Sequence, residues 1–289
     1  MEARSNWGLI EIPDDMGVMN VGGRLGAAGG PLAFRRALFS MKPRWDFRAH
    51  LVSERQIAPL TSDITAHHRL AADAIRETHA QTGTSVVIGG GHDHGFSHLL
   101  GISEALASDQ KTLGCINIDA HLDLRPPIDG HLITSGSPFF LALEARILQG
   151  RHLIEFGIQT QCNSPSLWKY AKDKGIAIHT MAQLRNGLAV PAFKKALKKL
   201  AARCDVIVIS FDLDAVAEAH APGVSAPQAE GFTPSEILEM LEFAGTVPQV
   251  ASLGIFELNP EHDIQSRTAR LAAHAAYHFL EARLSRRAP

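Results

Sequence analysis

Three side chains that bind metals stand at alternate positions in the segment CINIDAHLDLRPP, residues 115–127. The segment begins as an apolar strand and continues into Asp119, His121 and Asp123. Residues two apart in an extended backbone point to the same side, so these three could present their donor atoms together. Acids and an imidazole crowded after an apolar strand would be costly to desolvate without a cation between them. The spacing therefore favours a metal site.

The segment SFDLD repeats the alternate spacing with Asp212 and Asp214. Taken alone, such a pair of acids could equally cap a turn or lie in solvent. If the two segments meet, they bring four carboxylates and one or two imidazoles together. Two divalent cations bridged by shared carboxylates are the simplest way to neutralise them. Oxygen-rich ligands with some nitrogen favour Mn²⁺ over Zn²⁺ or Cu²⁺.

A further imidazole is expected from the segment GGGHDHG, where His92 and His94 are both candidates. The glycines could also suggest a phosphate-binding loop, but neither a GK[ST] sequence nor a spaced GxGxxG follows them. We interpret the glycines as residues that let the backbone turn tightly beside the metals. The residues alone leave the choice between the two histidines open.

The elements that must position these residues follow from the hydrophobic pattern. Short apolar runs alternate with amphipathic segments, which is typical of a mainly parallel sheet covered by helices on both faces. The predicted strands cover 7–12, 84–90, 113–119, 152–158, 175–180, 205–212 and 250–258. The predicted helices cover roughly 63–81, 94–107, 137–148, 164–174, 191–202, 234–245 and 265–286. In the fourth helix, Ser164 is the expected N-cap and Pro165 the first helical residue.

The chemistry-bearing segments all stand where a predicted strand ends. They are GGGHDHG, DAHLD, DLD and ELNP. Ligands of open parallel sheets bind beyond the C-terminal ends of the strands, so these four ends are expected to converge on one site. No repeat, low-complexity segment or linker marks a boundary, and the sequence therefore predicts a single domain over 1–289.

Composition restricts the classes of partner. The 289-residue chain has 28 Lys and Arg against 30 Asp and Glu, so no basic excess favours binding to nucleic acid. Three cysteines without a CxxC pair indicate buried thiols of a reducing compartment rather than a disulfide framework. No apolar segment approaches the ~20 residues that span a bilayer, and the N-terminus lacks the pattern of a leader. We expect a cytoplasmic protein without a membrane partner.

Taken together, the motifs resemble the arginase, agmatinase and formimidoylglutamase family of ureohydrolases. GGGH, DAHLDLRP, SFDLD with a following APGVSAP, and ELNP with a following TARLAA stand in the order and spacing of that family. The N-terminal GRLGAAGGPLAFRRAL extends the resemblance through nearly the whole chain. The resemblance implies a three-layer α/β/α fold, two Mn²⁺ ions per subunit, a small-molecule substrate and a homo-oligomer.

The resemblance also implies a role for each metal ligand. Six residues of this sequence match the ligands of the family: His92, Asp119, His121, Asp123, Asp212 and Asp214. His92 and Asp123 would bind the first manganese, and His121 and Asp214 the second. The remaining two acids would bridge both ions. His94 has no ligand counterpart and would be a loop residue or a support for the ligands.

Within the family, the chain resembles the formimidoylglutamase branch. Arginases and agmatinases have a histidine, thought to shuttle protons, before a Gly-x-Pro segment, and this chain has Ser135 there, in TSGSPF. His131, four residues upstream, is the alternative proton carrier but is expected to be a loop residue. DLRP and APGVSAP also look like that branch. The expected reaction is hydrolysis of N-formimidoyl-L-glutamate to L-glutamate and formamide, a late step of histidine breakdown.

The charges of this substrate suggest which residues bind it. Its amidine-like head is cationic and its tail carries two carboxylates, so the site needs acids at the metals and cations at its mouth. Glu257 is expected to hold the head and Asp123 to pass a proton to the departing amine. The candidates for the remaining contacts are Arg125 for a tail carboxylate, Ser135, Gln159 and Asn163 as neutral groups, and Arg24 as a weaker cation.

Three alternatives remain open at this stage. Another ureohydrolase, such as a guanidino-acid hydrolase or an agmatinase, would release urea instead of formamide. An inactive member of the fold would bind metal without turnover. An amide hydrolase of the deacetylase type would hold one zinc ion and would not need both bridging acids.

Overall fold

The fold is built around one parallel sheet. The computed structural model describes residues 6–58, 63–128 and 130–284. Eight strands lie in the order β2-β1-β3-β8-β7-β4-β5-β6, and every neighbouring pair is parallel. They are β1 Trp7–Ile12, β2 Leu51–Gln56, β3 Ser85–Gly89, β4 Leu113–Ile118, β5 Leu153–Ile158, β6 Ala177–Thr180, β7 Val206–Asp212 and β8 Val250–Phe256.

Helices cover both faces of the sheet, which confirms the predicted three-layer α/β/α fold. In chain order they are α1 Met16–Asn20, α2 Gly30–Ser40, α3 Ile64–Thr82, α4 His94–Ala105, α5 Pro138–Glu144, α6 Pro165–Lys174, α7 Met181–Leu184, α8 Ala189–Ala201, α9 Pro234–Thr246 and α10 Arg267–Leu284. One apolar layer joins the sheet to α2, α8, α9 and α10. The other joins it to α3, α4, α5 and α6.

Alternate residues of each strand supply the two layers. In β1, Leu9 packs in the first layer and Ile10 in the second. In β4, Ile116 belongs to the first layer and Cys115 to the second. Because both faces are covered, these strands are apolar throughout rather than alternating in polarity. The predicted burial of the thiols is confirmed for Cys115 and Cys204, whereas Cys162 is only partly buried.

The sequence missed one strand and three helices. β2, LVSERQ, is an edge strand with mostly exposed or half-buried residues, so it lacks the apolar signal of the central strands. α1 and α7 have five and four residues, too few for a helical period to be recognised. α2 begins with Gly30 and Pro31, two residues that weaken the helical signal of its first turn. α5 ends at Glu144 rather than at 148 because Arg146 takes a positive φ of 58°.

The other predicted elements agree with the structure to within two or three residues, although the last two residues predicted for α10, 285 and 286, lie outside the described chain. α6 begins as predicted, with Ser164 at the N-cap and Pro165 in the first turn. None of the described helices is both long and apolar enough to cross a membrane. The division of 1–289 into a single domain stays a prediction.

The order of the strands brings the predicted site residues together. β3, β8, β7 and β4 are consecutive neighbours in the middle of the sheet. The register pairs Ile118 of β4 with Phe211 of β7, and Asp212 of β7 with Phe256 of β8. The residues that follow these strands therefore meet at one edge of the sheet, as the sequence predicted.

Candidate metal centre

His92 lies among three carboxylates at the carboxyl edge of the sheet. Its Nδ1 atom is 3.1 Å from Asp119 Oδ2 and 2.9 Å from Asp123 Oδ2. An Asp212 oxygen, Oδ2, is 3.0 Å from the same nitrogen. These four donors come from the ends of three different strands and form the first group of the centre.

His121 forms the second group with Asp214 and Asp119. Its Nδ1 atom is 3.0 Å from Asp214 Oδ2 and 3.5 Å from Asp119 Oδ1. Asp119 therefore turns one oxygen towards each group, which is the arrangement expected of a bridging carboxylate. Asp212 joins the first group only, and its Oδ1 accepts the backbone N–H of Asp214 at 2.8 Å. A bridging role for Asp212 stays a prediction.

Local backbone geometry places these donors. The N–H of Asp119 donates to Phe156 O of the neighbouring strand β5 at 3.0 Å, which continues the sheet one residue past β4. The N–H of His121 donates to Asp119 Oδ1 at 2.7 Å, so the chain turns around its own ligand. Asp123 takes a positive φ of 48°, a conformation that costs energy in a residue with a side chain. The turn thereby aims the carboxylate of Asp123 at His92.

Two neutral residues that the sequence analysis missed hold ligands in place. Ser210 Oγ and His92 Nε2 form a hydrogen bond of 2.8 Å, which leaves Nδ1 facing the carboxylates. Asn117 donates from Nδ2 to Asp119 Oδ2 at 3.2 Å. Ser210 and Asn117 stand two residues before Asp212 and Asp119 in their strands and so share the side of the strand with these ligands. Polar residues in otherwise apolar strands were the signal that could have revealed them.

Burial makes the group electrostatically unstable without a cation. Burial raises the pKa of Asp123 above its ordinary value, and the neighbouring Asp119 adds to that shift. Burial and the Asp212–Asp214 contact raise the pKa of Asp212 well above its ordinary value, and burial raises that of Asp214 to about 6. The charged form of these three acids is therefore disfavoured where it stands, whereas hydrogen bonds with His121 and His92 hold the pKa of Asp119 below its ordinary value. A cation placed among them would reverse this penalty.

The donor set fits two divalent ions. Neighbouring ligands about 2.1 Å from an octahedral ion lie about 3 Å apart, which is the spacing observed around His92. Two buried oxygens of the centre also lack partners: within the described residues, Asp214 Oδ1 and Glu257 Oε2 make no hydrogen bond. Oxygen-rich groups with one imidazole each suit manganese.

Glu257 lies directly beside this centre. It follows β8, has a positive φ of 65°, and accepts the backbone N–H of His92 at Oε1 over 2.9 Å. Its other oxygen faces the pocket without a partner among the described residues. Burial raises the pKa of Glu257 to about 8. A buried carboxylate with one free oxygen is suited to pair with a cationic group that enters the pocket.

A pocket opens above the two ligand groups. Arg125 and Ser135 line it together with His92, His121 and Glu257. Arg125 is half-buried, and within the described residues its guanidinium has no carboxylate partner. The structure therefore brings three of the predicted substrate-binding residues, Arg125, Ser135 and Glu257, to the cavity that holds the metal ligands.

Gln159 and Asn163 do not line this pocket in the described chain. Asn163 accepts the N–H of Leu122 at 2.8 Å and donates to the carbonyl groups of Ala120 and Gln159, at 3.1 and 2.8 Å. The side chain of Gln159 donates to the Glu230 carbonyl at 2.6 Å. Both side chains thus hold loops beside the metal ligands. Their contact with substrate stays a prediction, and the observed positions of the two side chains do not support it.

The remaining candidates are also accounted for. Arg24 donates from Nε to the carbonyl of Ser225 at 3.1 Å and from Nη2 to that of Val224 at 2.5 Å, so it holds the loop that forms one pocket wall. His131 is exposed on a short bridge with Ile128. His94 is fully buried and belongs to neither ligand group of the centre.

Comparisons with known proteins agree with this geometry. A profile described as Arginase family matches residues 5–281. A formimidoylglutamase of Bacillus subtilis is 32% identical over 265 residues, which cover 89% of this chain and 81% of that protein. A crystal structure of formimidoylglutamase from Bacillus subtilis has a TM-score of 0.86 at 28% identity, covering 96% and 87% of the two chains. A Trypanosoma cruzi formiminoglutamase with Mn²⁺₂ also reaches 0.86, at 29% identity, covering 96% and 93%.

Proposed function

The chain belongs to the arginase family, and from this membership we propose that it is a binuclear manganese hydrolase of N-formimidoyl-L-glutamate. Water would split the C–N bond between the amidine-type carbon and the glutamate nitrogen, releasing L-glutamate and formamide. The observation that carries the proposal is the pair of ligand groups that share Asp119, at the bottom of a pocket with an acid inside and an arginine on its wall. A formimidoylglutamase that covers most of this chain at 32% identity, and a formimidoylglutamase crystal structure with the same fold, support this choice of substrate.

The ions supply one part of the chemistry. When bound, a pair of divalent cations would lower the pKa of a nearby water molecule. It would also stabilise the negative charge that develops when water attacks the amidine carbon. Six residues would hold the pair: His92, Asp119, His121, Asp123, Asp212 and Asp214. The protein fixes these donors before any ion arrives, because Ser210 and Asn117 already orient His92 and Asp119.

The remaining steps belong to side chains of the chain itself. Glu257 would pair its free Oε2 with the cationic head and so aim the amidine carbon at the attacking water. Asp123, whose Oδ2 points into the centre, would take the proton that water loses and pass it to the departing glutamate nitrogen. That transfer lets glutamate leave as a neutral amine.

Specificity would come from the pocket wall. Arg125 is positioned to meet a carboxylate of the glutamate tail, and its charge would repel the cationic tail of agmatine. Ser135 leaves space and a hydroxyl where a shuttling imidazole would otherwise stand. Both features favour a dicarboxylate over arginine or agmatine as the substrate.

We also propose a homo-oligomer in the cytoplasm, with the reaction serving histidine breakdown. Large apolar side chains on the surface support self-association: Met19, Leu25, Ile128 and Leu132 are each 43–55% exposed. The cysteine pattern supports a reducing compartment. Light scattering of the purified chain and fractionation of cells that produce it would test the two statements.

Turnover of four compounds by the manganese-loaded protein tests the proposed reaction. We expect formimidoylglutamate to be hydrolysed with formamide as product, and agmatine, arginine and guanidinobutyrate to be poor substrates. Urea released from agmatine as the best substrate would contradict the assignment. A protein that binds two manganese ions and turns over none of the four would support the inactive alternative, and one bound zinc ion would support the deacetylase type.

A further inference from the structure

A second cluster of histidines and acids lies behind the manganese centre and has no part in the proposed reaction. Asp14 follows β1, His67 lies on α3 and His94 begins α4. All three are buried, with no more than 4% of their surface exposed. His67 Nδ1 is 3.2 Å from Asp14 Oδ2, and His94 Nε2 is 3.0 Å from the same oxygen. The three donor atoms therefore face one another across a small interior space.

The imidazole of His67 is unsatisfied in its surroundings. Within the described chain, its Nε2 has no hydrogen-bond partner and its Nδ1 has only the 3.2 Å contact with Asp14 Oδ2, although the side chain has no exposure to solvent. A buried polar group in that state is costly, and evolution rarely leaves one so without a reason. A metal ion bound at Nδ1 would give that nitrogen a ligand bond and would lower the cost.

His94 Nε2 and Asp14 Oδ2 hydrogen-bond to each other over 3.0 Å, and further hydrogen bonds hold both side chains in this orientation. Asp14 accepts the N–H of Met16 at Oδ1 over 3.1 Å, and its Oδ2 remains turned towards the imidazoles. Ser97 Oγ and His94 Nδ1 lie 3.3 Å apart, and this bond turns Nε2 towards Asp14. Outer partners of this kind orient the ligands of many metal sites.

A nearby acid adds charge that needs balance. Asp93 Oδ2 is 3.8 Å from His94 Nε2, and Asp93 Oδ1 has no hydrogen-bond partner among the described residues. The Asp93 carboxylate is fully buried and is paired with His68 Nε2 at 2.9 Å. Two buried acids thus lie within one cluster of imidazoles, and Asp93 is a candidate fourth donor.

We propose that Asp14, His67 and His94 bind a third divalent cation, of the zinc type, separate from the two at the strand ends. Two imidazole nitrogens and one carboxylate oxygen suit Zn²⁺, whereas the oxygen-rich centre suits manganese. The closed surroundings give the ion a structural role. It would tie the β1–α1 connection, whose following residues Val18 and Val21 line the pocket, to α3 and α4.

Anomalous diffraction above and below the zinc absorption edge tests the site in the full chain. The manganese-saturated protein is given two equivalents of zinc chloride, dialysed and crystallised. We expect one zinc peak bounded by Asp14, His67 and His94, and about one zinc per chain beside two manganese ions. Absence of that peak, or zinc found only in place of manganese, would overturn the proposal and would show that protons on the imidazoles balance the acids.

Two variants sharpen the result. His67→Leu keeps the volume but removes the donor, and it should retain both manganese ions while losing the zinc. His79→Leu is the matched control, since His79 is also a buried histidine of α3 with an unpartnered nitrogen but lies outside the clusters of metal-binding side chains among the described residues. It should keep the zinc. Zinc retained by both variants, or manganese lost from His67→Leu together with the zinc, would contradict a separate zinc site. Zinc bound at this cluster in a protein that hydrolyses none of the four compounds would count only against the proposed function.

Discussion

The bottom of the pocket and its mouth differ in how the sequence determines them. At the bottom, every ligand stands within five residues of the end of a central strand and is buried or nearly so. At the mouth, Arg125 and Ser135 stand on the long connection between β4 and α5 and are partly exposed. The sheet therefore fixes the atoms that would hold metal, whereas loops decide which tail the pocket accepts.

The largest expected effect is at the carboxylate that both ligand groups share. Asp119→Asn keeps the size of the side chain but removes the charge that would bridge the two ions. We expect turnover to fall by about 10³-fold or more, as several kcal/mol of transition-state stabilisation are lost. Manganese per chain, measured after dialysis, should fall from two to one or none. Asp173→Asn on the exposed face of α6 is the control and should change neither quantity.

Glu257→Gln tests whether Glu257, at the bottom of the pocket, binds the substrate rather than a metal ion. The amide keeps a hydrogen-bonding group but cannot pair its charge with the cationic head, so kcat/KM should fall by about 10²- to 10³-fold. The manganese content should stay at two, because Glu257 belongs to neither ligand group. A variant that loses manganese in proportion to activity would show that Glu257 is a ligand instead.

The metal ligands and Glu257 are the part of the site that could be predicted from the sequence. The ligands could be predicted because alternate spacing after an apolar strand is a local signal, and the order of motifs carried the family resemblance. Ser210 and Asn117 were overlooked although they share the faces of Asp212 and Asp119, and their polarity inside apolar strands was visible. The cluster of Asp14, His67 and His94 joins three distant segments, and no local spacing predicts such a meeting.

The mouth was less predictable for a physical reason. Gln159 and Asn163 follow β5, whose end lies beside the ligand-bearing strands, so position alone suggested substrate contact. In the structure, their side-chain amide groups donate hydrogen bonds to neighbouring backbone carbonyl groups instead. Whether a polar side chain in a loop faces a cavity or a carbonyl group depends on turns that the pattern of residues does not encode. The short edge strand β2 was missed because an exposed strand lacks the apolar signal.

Ser210→Ala tests how strongly the sheet orients the metal ligand His92 before a metal ion binds. Loss of the hydrogen bond to His92 Nε2 frees the imidazole, and we expect manganese affinity to fall by about 10- to 100-fold while saturating metal restores most of the turnover. Competition with a chelator measures the affinity. Ser252→Ala removes another buried Ser–His contact, that with His98, and should leave the affinity unchanged. Equal effects in the two variants would indicate a general loss of stability.

Arg125→Ala should show the smallest change, confined to the mouth. A hydrogen bond between charged groups at a half-exposed position contributes modestly, so we expect KM for formimidoylglutamate to rise about tenfold with kcat nearly unchanged. Steady-state kinetics measure both. Arg36→Ala, an exposed arginine of α2, is the control. A fall in kcat without a rise in KM would place Arg125 in the reaction rather than in tail binding.

The central claim is that two cation sites share Asp119 at the end of β4. The most direct measurement is the anomalous scattering of manganese in crystals of the full chain grown with Mn²⁺. We predict two neighbouring peaks, one against His92 and Asp123 and the other against His121 and Asp214, both in contact with Asp119. A single peak, or manganese bound away from Asp119, would contradict the account.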